Sequence, residues 1–323
     1  MIDSDAWIGA FFAEFQEKSR VIRTGSESVD ESSTAESERD TVPPFVVETP
    51  KGTSIPLIVC SPHSGRHYSA AFRKLSRLSL AQLRAGEDFY VDRLIASAPA
   101  HGATTLHATF PRVVCDVNRA PLDLDPAMIS NGDKIGLRPS ERALAGLGSV
   151  PRVASGGLPV YSGKLTFDQT AERLLTFWRP YHAALGELIA QARAAHGFCL
   201  VLDMHSMPSG LAGTAQFVIG DAFGAASEPI FVEAAQRSLQ AMRYRVARNR
   251  PFSGGFITRH YGRPDDGVSV IQIEISRALY MTRGVNGEWG VVEEFAGKTG
   301  ALIADVAQAV EYRLSSHQRS AAE

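Results

Sequence analysis

Histidine and carboxylate side chains occur where apolar runs of this chain end. His205 follows the run 199–202, His63 follows the run 55–60, and Glu274 lies within a third apolar run. Two imidazoles and one carboxylate are a ligand set that catalytic zinc commonly takes, with one position left for water. A carboxylate among apolar residues is costly unless it is paired, metal-bound or protonated, so Glu274 is a candidate general acid and base. These residue types predict zinc-assisted hydrolysis of an amide.

Each of these residues also has a structural interpretation. Asp203 and His205 share one face of a strand, so a buried histidine in a hydrogen-bond network is as reasonable as a metal ligand. Glu274 could form a structural salt bridge with Arg277 or with another arginine. A role for Ser206 as a hydrolase nucleophile is disfavoured, because its surroundings lack the glycines of a nucleophile elbow.

A further source of carboxylates is the segment 87–92, which has three acidic residues among aromatic and aliphatic ones. We expect a helix here, with Glu87 on the same face as Val91 and Asp88 on the same face as Asp92. This segment either supplies a metal ligand or forms a solvated helix start, where acidic residues favour the positive end of the helix dipole.

Two groups of cationic residues are candidates for binding an acidic substrate. Arg119 follows the predicted strand 112–117 and is either a surface cation or a planar fork that binds a carboxylate through two hydrogen bonds. Arg259, His260 and Arg263 form a basic stretch, which we expect to be a loop that either binds an anion or lies at the surface.

The candidate ligand and catalytic residues follow or lie in predicted strands. These strands predict an α/β fold, in which ligands bind at the carboxyl ends of the central strands. The other predicted strands are 103–109, 214–220 and 268–277, with a further extended piece from residue 243. Capping-box patterns at Ser79 and Thr166 predict helix starts, the second helix running to about His196 with a kink at Pro180. His182 and His196 on this helix are expected at the surface or at the helix end. Further helices are predicted over 228–242 and 290–316.

Length, charge and cysteine content limit the class of protein. The 323 residues have a net charge of −2, which disfavours nucleic acid as a partner, and they contain no apolar run long enough for a membrane span. The three cysteines are far apart and lie in or beside apolar runs, so we expect no disulfides. Together with an N-terminus that lacks a secretory pattern, this composition predicts a cytoplasmic protein.

We expect an N-terminal extension over 1–42 and a single catalytic domain over 43–323. A short amphipathic helix is predicted over 5–15, and the Ser-, Glu-, Thr- and Asp-rich stretch 24–42 predicts a flexible connector. The loop-rich stretch 120–165 is predicted to form a wall or lid over the site.

Six motifs in this order resemble the N-formylglutamate amidohydrolase (N-formylglutamate deformylase) family over roughly residues 55–285. They are Ser61-Pro62-His63-Ser64-Gly65, Glu87-Asp88 with Val91-Asp92, Asp116-Val117-Asn118-Arg119, Asp203-Met204-His205-Ser206, Gly254-Gly255-Phe256-Ile257-Thr258-Arg259-His260-Tyr261-Gly262 and Gln272-Ile273-Glu274-Ile275-Ser276-Arg277. The resemblance implies a mixed, mostly parallel central sheet with helices on both faces, similar to zinc carboxypeptidases and of the phosphorylase/hydrolase-like type.

The resemblance also implies a metal site with one zinc ion per chain. His63, Glu87 and His205 would be the ligands, with Asp88 as the alternative carboxylate. The carboxypeptidase-like pattern places a glutamate three positions after the first histidine, and Arg66 occupies that position here.

Further roles follow from the same resemblance. Glu274 would be the general acid and base, and Asn118 and Arg119 would hold a substrate carboxylate, with Arg119 also taking part in catalysis. Recognition of a dicarboxylate would be completed by Arg259, His260 and Arg263. The implied reaction converts the small molecule N-formyl-L-glutamate to formate and L-glutamate, a step of histidine degradation.

Two other functions remain open. The substrate could be a different N-acyl amino acid or a cell-wall peptide, with the stretch 120–165 setting the choice. The chain could instead be a metal-free protein of the same fold that binds small acids through Arg119 and Arg259. The sequence predicts no oligomeric state.

Overall fold

A computed structural model describes residues 42–283 and 289–322. The helix predicted over 5–15 and the connector predicted over 24–42, except for its last residue, lie outside the described residues. The described chain forms two units. The sheet unit comprises Phe45–Gly65, Glu87–Ala108 and the described residues from Glu187 on, and the loop unit comprises residues 42–44, Arg66–Gly86 and Thr109–Gly186. The expectation of a single domain over 43–323 stays a prediction.

All strands of the described residues belong to the sheet unit. They are β1 (Phe45–Glu48), β2 (Leu57–Ser61), β3 (Thr104–Ala108), β4 (Cys199–Met207), β5 (Phe217–Gly220), β6 (Val246–Arg248), β7 (Val268–Ser276), β8 (Met281–Arg283) and β9 (Trp289–Val291). The helices are α1 (Ala70–Leu75), α2 (Leu80–Arg84), α3 (Val91–Leu94), α4 (Glu141–Leu144), α5 (Phe167–Arg173), α6 (Arg179–His196), α7 (Pro229–Ala241), α8 (Phe256–Tyr261) and α9 (Glu293–Ala322). None of these helices is long and apolar enough to cross a membrane.

Seven of the strands form one sheet in the order β1-β3-β2-β4-β7-β5-β6, and β8 pairs with β9. The central strands β3, β2, β4 and β7 are parallel neighbours, and β5 and β6 are parallel to each other. Strand β1 is antiparallel to β3, and β5 is antiparallel to β7. The predicted mixed, mostly parallel sheet is therefore confirmed.

An apolar cluster covers one face of the sheet. Leu202 and Met204 of β4, together with Ile271 and Ile273 of β7, belong to this cluster, which side chains of helices α3, α7 and α9 complete. Because side chains alternate along a strand, the residues between these positions point to the opposite face. Helix α8 lies on that opposite face, where the amide of Gly255 donates a hydrogen bond to the side chain of Gln272. Helices thus flank the sheet on both faces.

The loop unit contains short helices joined by turns. The predicted capping boxes are both present, at Ser79 before α2 and at Thr166 before α5. A π-helical turn over Leu174–Trp178 separates α5 from α6 and precedes Pro180, which cannot donate a backbone hydrogen bond. His196 ends α6 as expected, whereas the surface position predicted for His182 is wrong.

His182 is fully buried in the loop unit. Its ring stacks on Trp178 with the centroids 3.9 Å apart, and its Nε2 atom lies 2.7 Å from the carbonyl oxygen of Val117. The burial of His182 could not be inferred from its position on the helix, because the segment that packs against it, at Val117, is distant in sequence.

Three element predictions are wrong. The stretch 112–117 contains turns, and an ion pair of 2.6 Å joins Arg112 to Asp116. Its apolar residues are buried, but the stretch pairs with none of the strands in the described part of the chain. Arg259 and His260 of the basic stretch that we expected as a loop lie in helix α8, and Arg263 follows it. Helix α3 begins only at Val91, after Tyr90 in a left-handed conformation with φ of 55°, so Glu87 and Asp88 precede the helix.

Packing of the apolar cluster predicts a large effect of core truncation. Leu302 is 1% exposed within the cluster, so Leu302→Ala should lower the free energy of unfolding by about 2–5 kcal/mol, measured by chemical denaturation. Leu144→Ala is the matched control, because Leu144 is 55% exposed and should change stability by less than about 0.5 kcal/mol. Equal effects of the two substitutions would contradict this core assignment.

Candidate metal centre

Two histidines and an aspartate of the sheet unit meet near the carboxyl ends of β2 and β4. His63, Asp88 and His205 are buried, and each offers a ligand atom within 4.8 Å of the others. Oxygen Oδ2 of Asp88 lies 3.0 Å from Nδ1 of His205 and 3.5 Å from Nδ1 of His63. The structure therefore brings together both predicted histidines and one carboxylate.

The carboxylate in this cluster belongs to Asp88, the alternative ligand, and not to Glu87. The backbone amide of Asp88 donates a 3.0 Å hydrogen bond to the carbonyl of His63, which ties the two loops together. The left-handed residue Tyr90 then turns the chain into α3. Glu87 is also buried, at 1% exposure, and its role as a ligand stays a prediction.

The second oxygen of Asp88 has its own partners. Oδ1 accepts hydrogen bonds from Ser206 Oγ at 3.2 Å and from Arg277 Nη2 at 3.3 Å. Arg277 Nε also donates to Ser206 Oγ at 3.0 Å. Ser206 and Arg277 therefore orient the carboxylate so that Oδ2 faces the two imidazoles. The sequence motifs contained both residues, but their spacing gave no indication of this contact.

The other ring nitrogen of His205 faces a second carboxylate. Nε2 of His205 lies 3.0 Å from Oδ2 of Asp203, whose other oxygen accepts a 3.5 Å hydrogen bond from Cys60 Sγ. Histidines that bind metals commonly donate their second ring nitrogen to a carboxylate, which fixes the ring and its tautomer. Asp203 thus leaves Nδ1 of His205 as the atom that is directed to Asp88 and His63.

Burial and charge act in opposite directions on this cluster. Burial raises the pKa of Asp88, but hydrogen bonds and charges from His205 and His63 outweigh it and hold that pKa well below 3.8. Burial lowers the pKa of His205, but Asp203, Asp88 and Glu274 outweigh it and raise that pKa well above 6.5. The surrounding carboxylates therefore stabilise positive charge at His205.

This donor set fits a divalent metal ion. Two imidazoles and one carboxylate match the three protein ligands of many catalytic zinc sites, and the burial of all three is compatible with a dehydrated ion. The carboxylate partner of His205 supplies the outer contact that such sites usually have.

Glu274 lies beside this cluster because of the sheet register. His205 and Glu274 are Cα partners on the parallel strands β4 and β7. Oε1 of Glu274 accepts a 2.9 Å hydrogen bond from Gln272 Nε2, and Oε1 of Gln272 accepts a 2.8 Å hydrogen bond from the Gly255 amide. The backbone of α8 thus fixes the orientation of the Gln272 amide, and Gln272 in turn positions Glu274.

The tight turn before α8 requires glycine. Gly254 has φ of +111°, and a Cβ atom there would lie 2.6 Å from the side chain of Thr258. A larger residue would displace the following amide, the one that holds Gln272. Gly254 therefore serves the site through its backbone geometry.

The predicted substrate-binding residues occupy both units. Arg259, His260 and Arg263 lie in or beside α8 of the sheet unit, and Arg259 Nη2 donates to Ser253 Oγ at 2.8 Å. Burial and the charge of Arg263 lower the pKa of His260 to about 4, so this imidazole is neutral near pH 7. Their binding roles stay predictions.

Asn118 and Arg119 belong to the loop unit. Arg119 Nε donates to the carbonyl of Leu147 at 3.1 Å, and its Nη1 donates to the carbonyl of Asn118 at 2.9 Å. Trp178 Nε1 donates to the carbonyl of Arg119 at 2.9 Å, which fixes the backbone at this point. Burial lowers the pKa of the Arg119 guanidinium. The predicted role in binding a carboxylate is untested by these contacts.

All three cysteines are buried and free of disulfides, as expected. Burial raises the pKa of Cys199 to about 12, with the charge of Arg193 opposing this effect. A thiol of this kind is a poor nucleophile, which agrees with the interpretation of the cysteines as apolar core residues.

The fold and this cluster define an α/β protein with a candidate metal centre at the carboxyl ends of parallel strands. The model of the N-formylglutamate amidohydrolase family matches residues 55–281. That match covers most of the chain, and the protein belongs to the N-formylglutamate amidohydrolase family. The resemblance inferred from the six motifs is thereby confirmed.

Individual relatives agree with this assignment. N-formylglutamate deformylases of Pseudomonas aeruginosa and Pseudomonas putida are 28% and 29% identical over 235 residues, which cover 70% of this chain and 82% of each relative. The crystal structure of N-formylglutamate amidohydrolase from Ralstonia eutropha is similar with a TM-score of 0.76 and 36% identity, covering 84% of this chain and 98% of that chain. The gene product Atu2144 from Agrobacterium tumefaciens shares the fold, with a TM-score of 0.58 and 19% identity, over 86% of this chain and 97% of that chain.

The metal content of two variants that are loaded with zinc tests which carboxylate can act as a metal ligand. Asp88→Asn should weaken zinc binding by at least about tenfold, because it removes the negative charge that faces both imidazoles. Glu87→Gln, the matched neighbour, should retain zinc. The measurement is zinc per chain by elemental analysis after dialysis against a weak chelator. Retention of zinc by Asp88→Asn, with loss from Glu87→Gln, would assign the ligand to Glu87.

Proposed function

We propose that this protein is a zinc-dependent amidohydrolase that converts N-formyl-L-glutamate to formate and L-glutamate. The observation that carries the proposal is the buried group of His63, Asp88 and His205 in a chain of the N-formylglutamate amidohydrolase family. The names of the two Pseudomonas relatives and of the Ralstonia enzyme support the substrate.

The proposed ligands are His63, Asp88 and His205, one zinc ion being held per chain. Asp88 replaces Glu87 in this set because its Oδ2 atom faces both imidazoles. Zinc bound there supplies a Lewis acid for the formyl carbonyl and for a water molecule. Asp203 holds His205 in one tautomer, and Ser206 supports Asp88 from its outer side.

Glu274 moves the proton in the proposed reaction. Its carboxylate accepts a proton from the attacking water and returns it to the nitrogen of the leaving amine, so that formate and the free amino group are formed. The position beside His205 and the hydrogen bond from Gln272 support this role. The hydrogen bond from the side-chain amide of Gln272 stabilises the carboxylate of Glu274 within an otherwise apolar strand.

The carboxylates of the substrate need cationic side chains or hydrogen-bond donors as binding partners. We propose Asn118 and Arg119 for one carboxylate, with Arg119 also stabilising the charge that develops on the formyl oxygen. Arg259 and Arg263 are proposed for recognition of an acidic group. His260, being neutral near pH 7, would take part as a hydrogen-bonding partner and not as a cation.

Replacement of the proposed acid and base tests the mechanism. Glu274→Gln keeps the shape of the side chain but cannot accept the proton, so kcat should fall by about 10²–10⁴-fold with zinc content unchanged. Glu233→Gln is the control, because its side chain is 58% exposed on α7 and pairs only with Arg237 among the described contacts. Formate release from N-formyl-L-glutamate is the measurement, and full activity of Glu274→Gln would exclude this mechanism.

The substrate itself is tested by comparing acyl groups and amino acids. N-formyl-L-glutamate should be hydrolysed with a kcat/KM at least about tenfold above those of N-acetyl-L-glutamate and N-formyl-L-methionine. A preference for another compound would retain the hydrolase and change its substrate. Protein that contains no zinc, and that gains no activity when zinc is added, would contradict the enzyme proposal.

A further inference from the structure

A series of hydrogen bonds within the sheet unit joins Arg259 to Glu274. Nε2 of Gln272 donates to Oε1 of Glu274 at 2.9 Å, and the amide of Gly255 donates to Oε1 of Gln272 at 2.8 Å. The carbonyl of Gly254, on the other side of the same peptide group, accepts a 3.3 Å hydrogen bond from Nε of Arg259. A single peptide group therefore links a guanidinium to the proposed acid and base.

The hydrogen bonds of this series all point in the same direction. Arg259 donates to the Gly254 carbonyl, and the Gly255 amide donates onwards to Gln272. Gln272 then donates to the carboxylate of Glu274. Because the peptide bond is delocalised, a cation at its oxygen makes its N–H group a stronger donor. Hydrogen bonds in such a series polarise one another, so the charge of Arg259 strengthens the bonds that lead to the carboxylate.

Close packing holds the linking peptide group against the sheet. Gly220, at the end of β5, is the Cα partner of Gln272 on β7, and a Cβ atom at Gly220 would lie 2.8 Å from the backbone nitrogen of Gly254. The carbonyl of Ser253 accepts a 2.8 Å hydrogen bond from the amide of Ala222. The loop before α8 is therefore seated on β5, and the peptide group that it carries has a fixed position beside Gln272.

The guanidinium of Arg259 makes a second contact with the same loop. Arg259 is exposed, yet its Nη2 donates to Oγ of Ser253 at 2.8 Å in addition to the bond from Nε to Gly254. Within the described residues it forms no ion pair, and both side-chain hydrogen bonds go to the loop before α8. The contacts of this cation therefore serve the linking peptide group, because no carboxylate of the described chain neutralises it.

We propose that Arg259 is a positioning residue for Glu274, acting through the Gly254–Gly255 peptide group and Gln272. The inference rests on the proposed function, in which Glu274 transfers the proton. By strengthening the hydrogen bond to Oε1 of Glu274, Arg259 keeps the carboxylate in one orientation, and a fixed orientation raises the rate of proton transfer. This role is separate from recognition of an acidic group by Arg259, which needs no contact with Gln272.

A double-mutant cycle on kcat tests the link. Gln272→Met removes the last donor at a similar side-chain volume, so kcat should fall by about 10–100-fold, as expected for loss of a hydrogen bond to a charged group. Arg259→Met should lower kcat by about 3–10-fold in the natural chain, but by less than about twofold in a chain that already carries Gln272→Met. Formate release at saturating N-formyl-L-glutamate is the measurement, and zinc per chain should be equal in all variants.

Arg237→Met is the matched control, because Arg237 is 66% exposed on α7 and should leave kcat unchanged. Full kcat in Arg259→Met, including the case in which only KM rises, would overturn the proposal and leave Arg259 with substrate recognition alone. Losses of kcat that multiply in the double variant would overturn it as well, because Arg259 and Gln272 would then act separately.

Amide hydrogen exchange tests the same link without requiring hydrolysis. The Gly255 amide should exchange several-fold faster in Arg259→Met than in the natural chain, while the melting temperature stays close to that of the natural chain, and residue-resolved NMR measures this rate. An unchanged exchange rate would overturn the proposal, and this measurement decides the matter if Gln272→Met does not fold. Faster exchange in a protein that releases no formate would retain the link between Arg259 and Gln272 and reject the proposed function.

Discussion

The buried carboxylate of Asp88 is the constraint on which the rest of the site depends. An ionised carboxylate at 1% exposure is tolerated only if both of its oxygens have partners. Oδ2 faces the imidazoles of His63 and His205, and Oδ1 accepts from Ser206 and Arg277. The division of partners between the two oxygens gives the carboxylate a single orientation, which is the condition for a metal site of defined geometry.

The register of the sheet sets the separation between Glu274 and His205. Because β4 and β7 are parallel neighbours in register, His205 and Glu274 are adjacent on the same face. The apolar cluster on the opposite face holds the two strands in that register, since a shift of one residue would move Glu274 into the core. Packing far from the chemistry thus determines how close the proposed base lies to the proposed metal ligands.

The sequence could predict which site residues lie at or near the ends of strands. His63, His205 and Glu274 follow or lie in apolar runs, and parallel strands bring such positions to one edge of a sheet. The choice between Glu87 and Asp88 could not be predicted from helical periodicity, because the helix starts only after the left-handed residue Tyr90. Contacts of Asp88 with His205, Ser206 and Arg277, all more than 100 positions away, place its carboxylate beside the imidazoles.

Contacts distant in sequence explain the other differences as well. The run 112–117 has the composition of a strand, but none of the strands over 42–283 and 289–322 pairs with it, and it contains turns and the ion pair of Arg112 with Asp116. His182 lies on a helix whose sequence suggested exposure, and the carbonyl of Val117 packs against it.

Anomalous diffraction at the zinc edge, from crystals of the zinc-loaded protein, tests the central claim most directly. One strong peak per chain is expected, about 2.0–2.2 Å from Nδ1 of His205, a ring nitrogen of His63 and an oxygen of Asp88. A peak at any other group of side chains, or a fully loaded protein whose zinc does not touch Asp88, would contradict it.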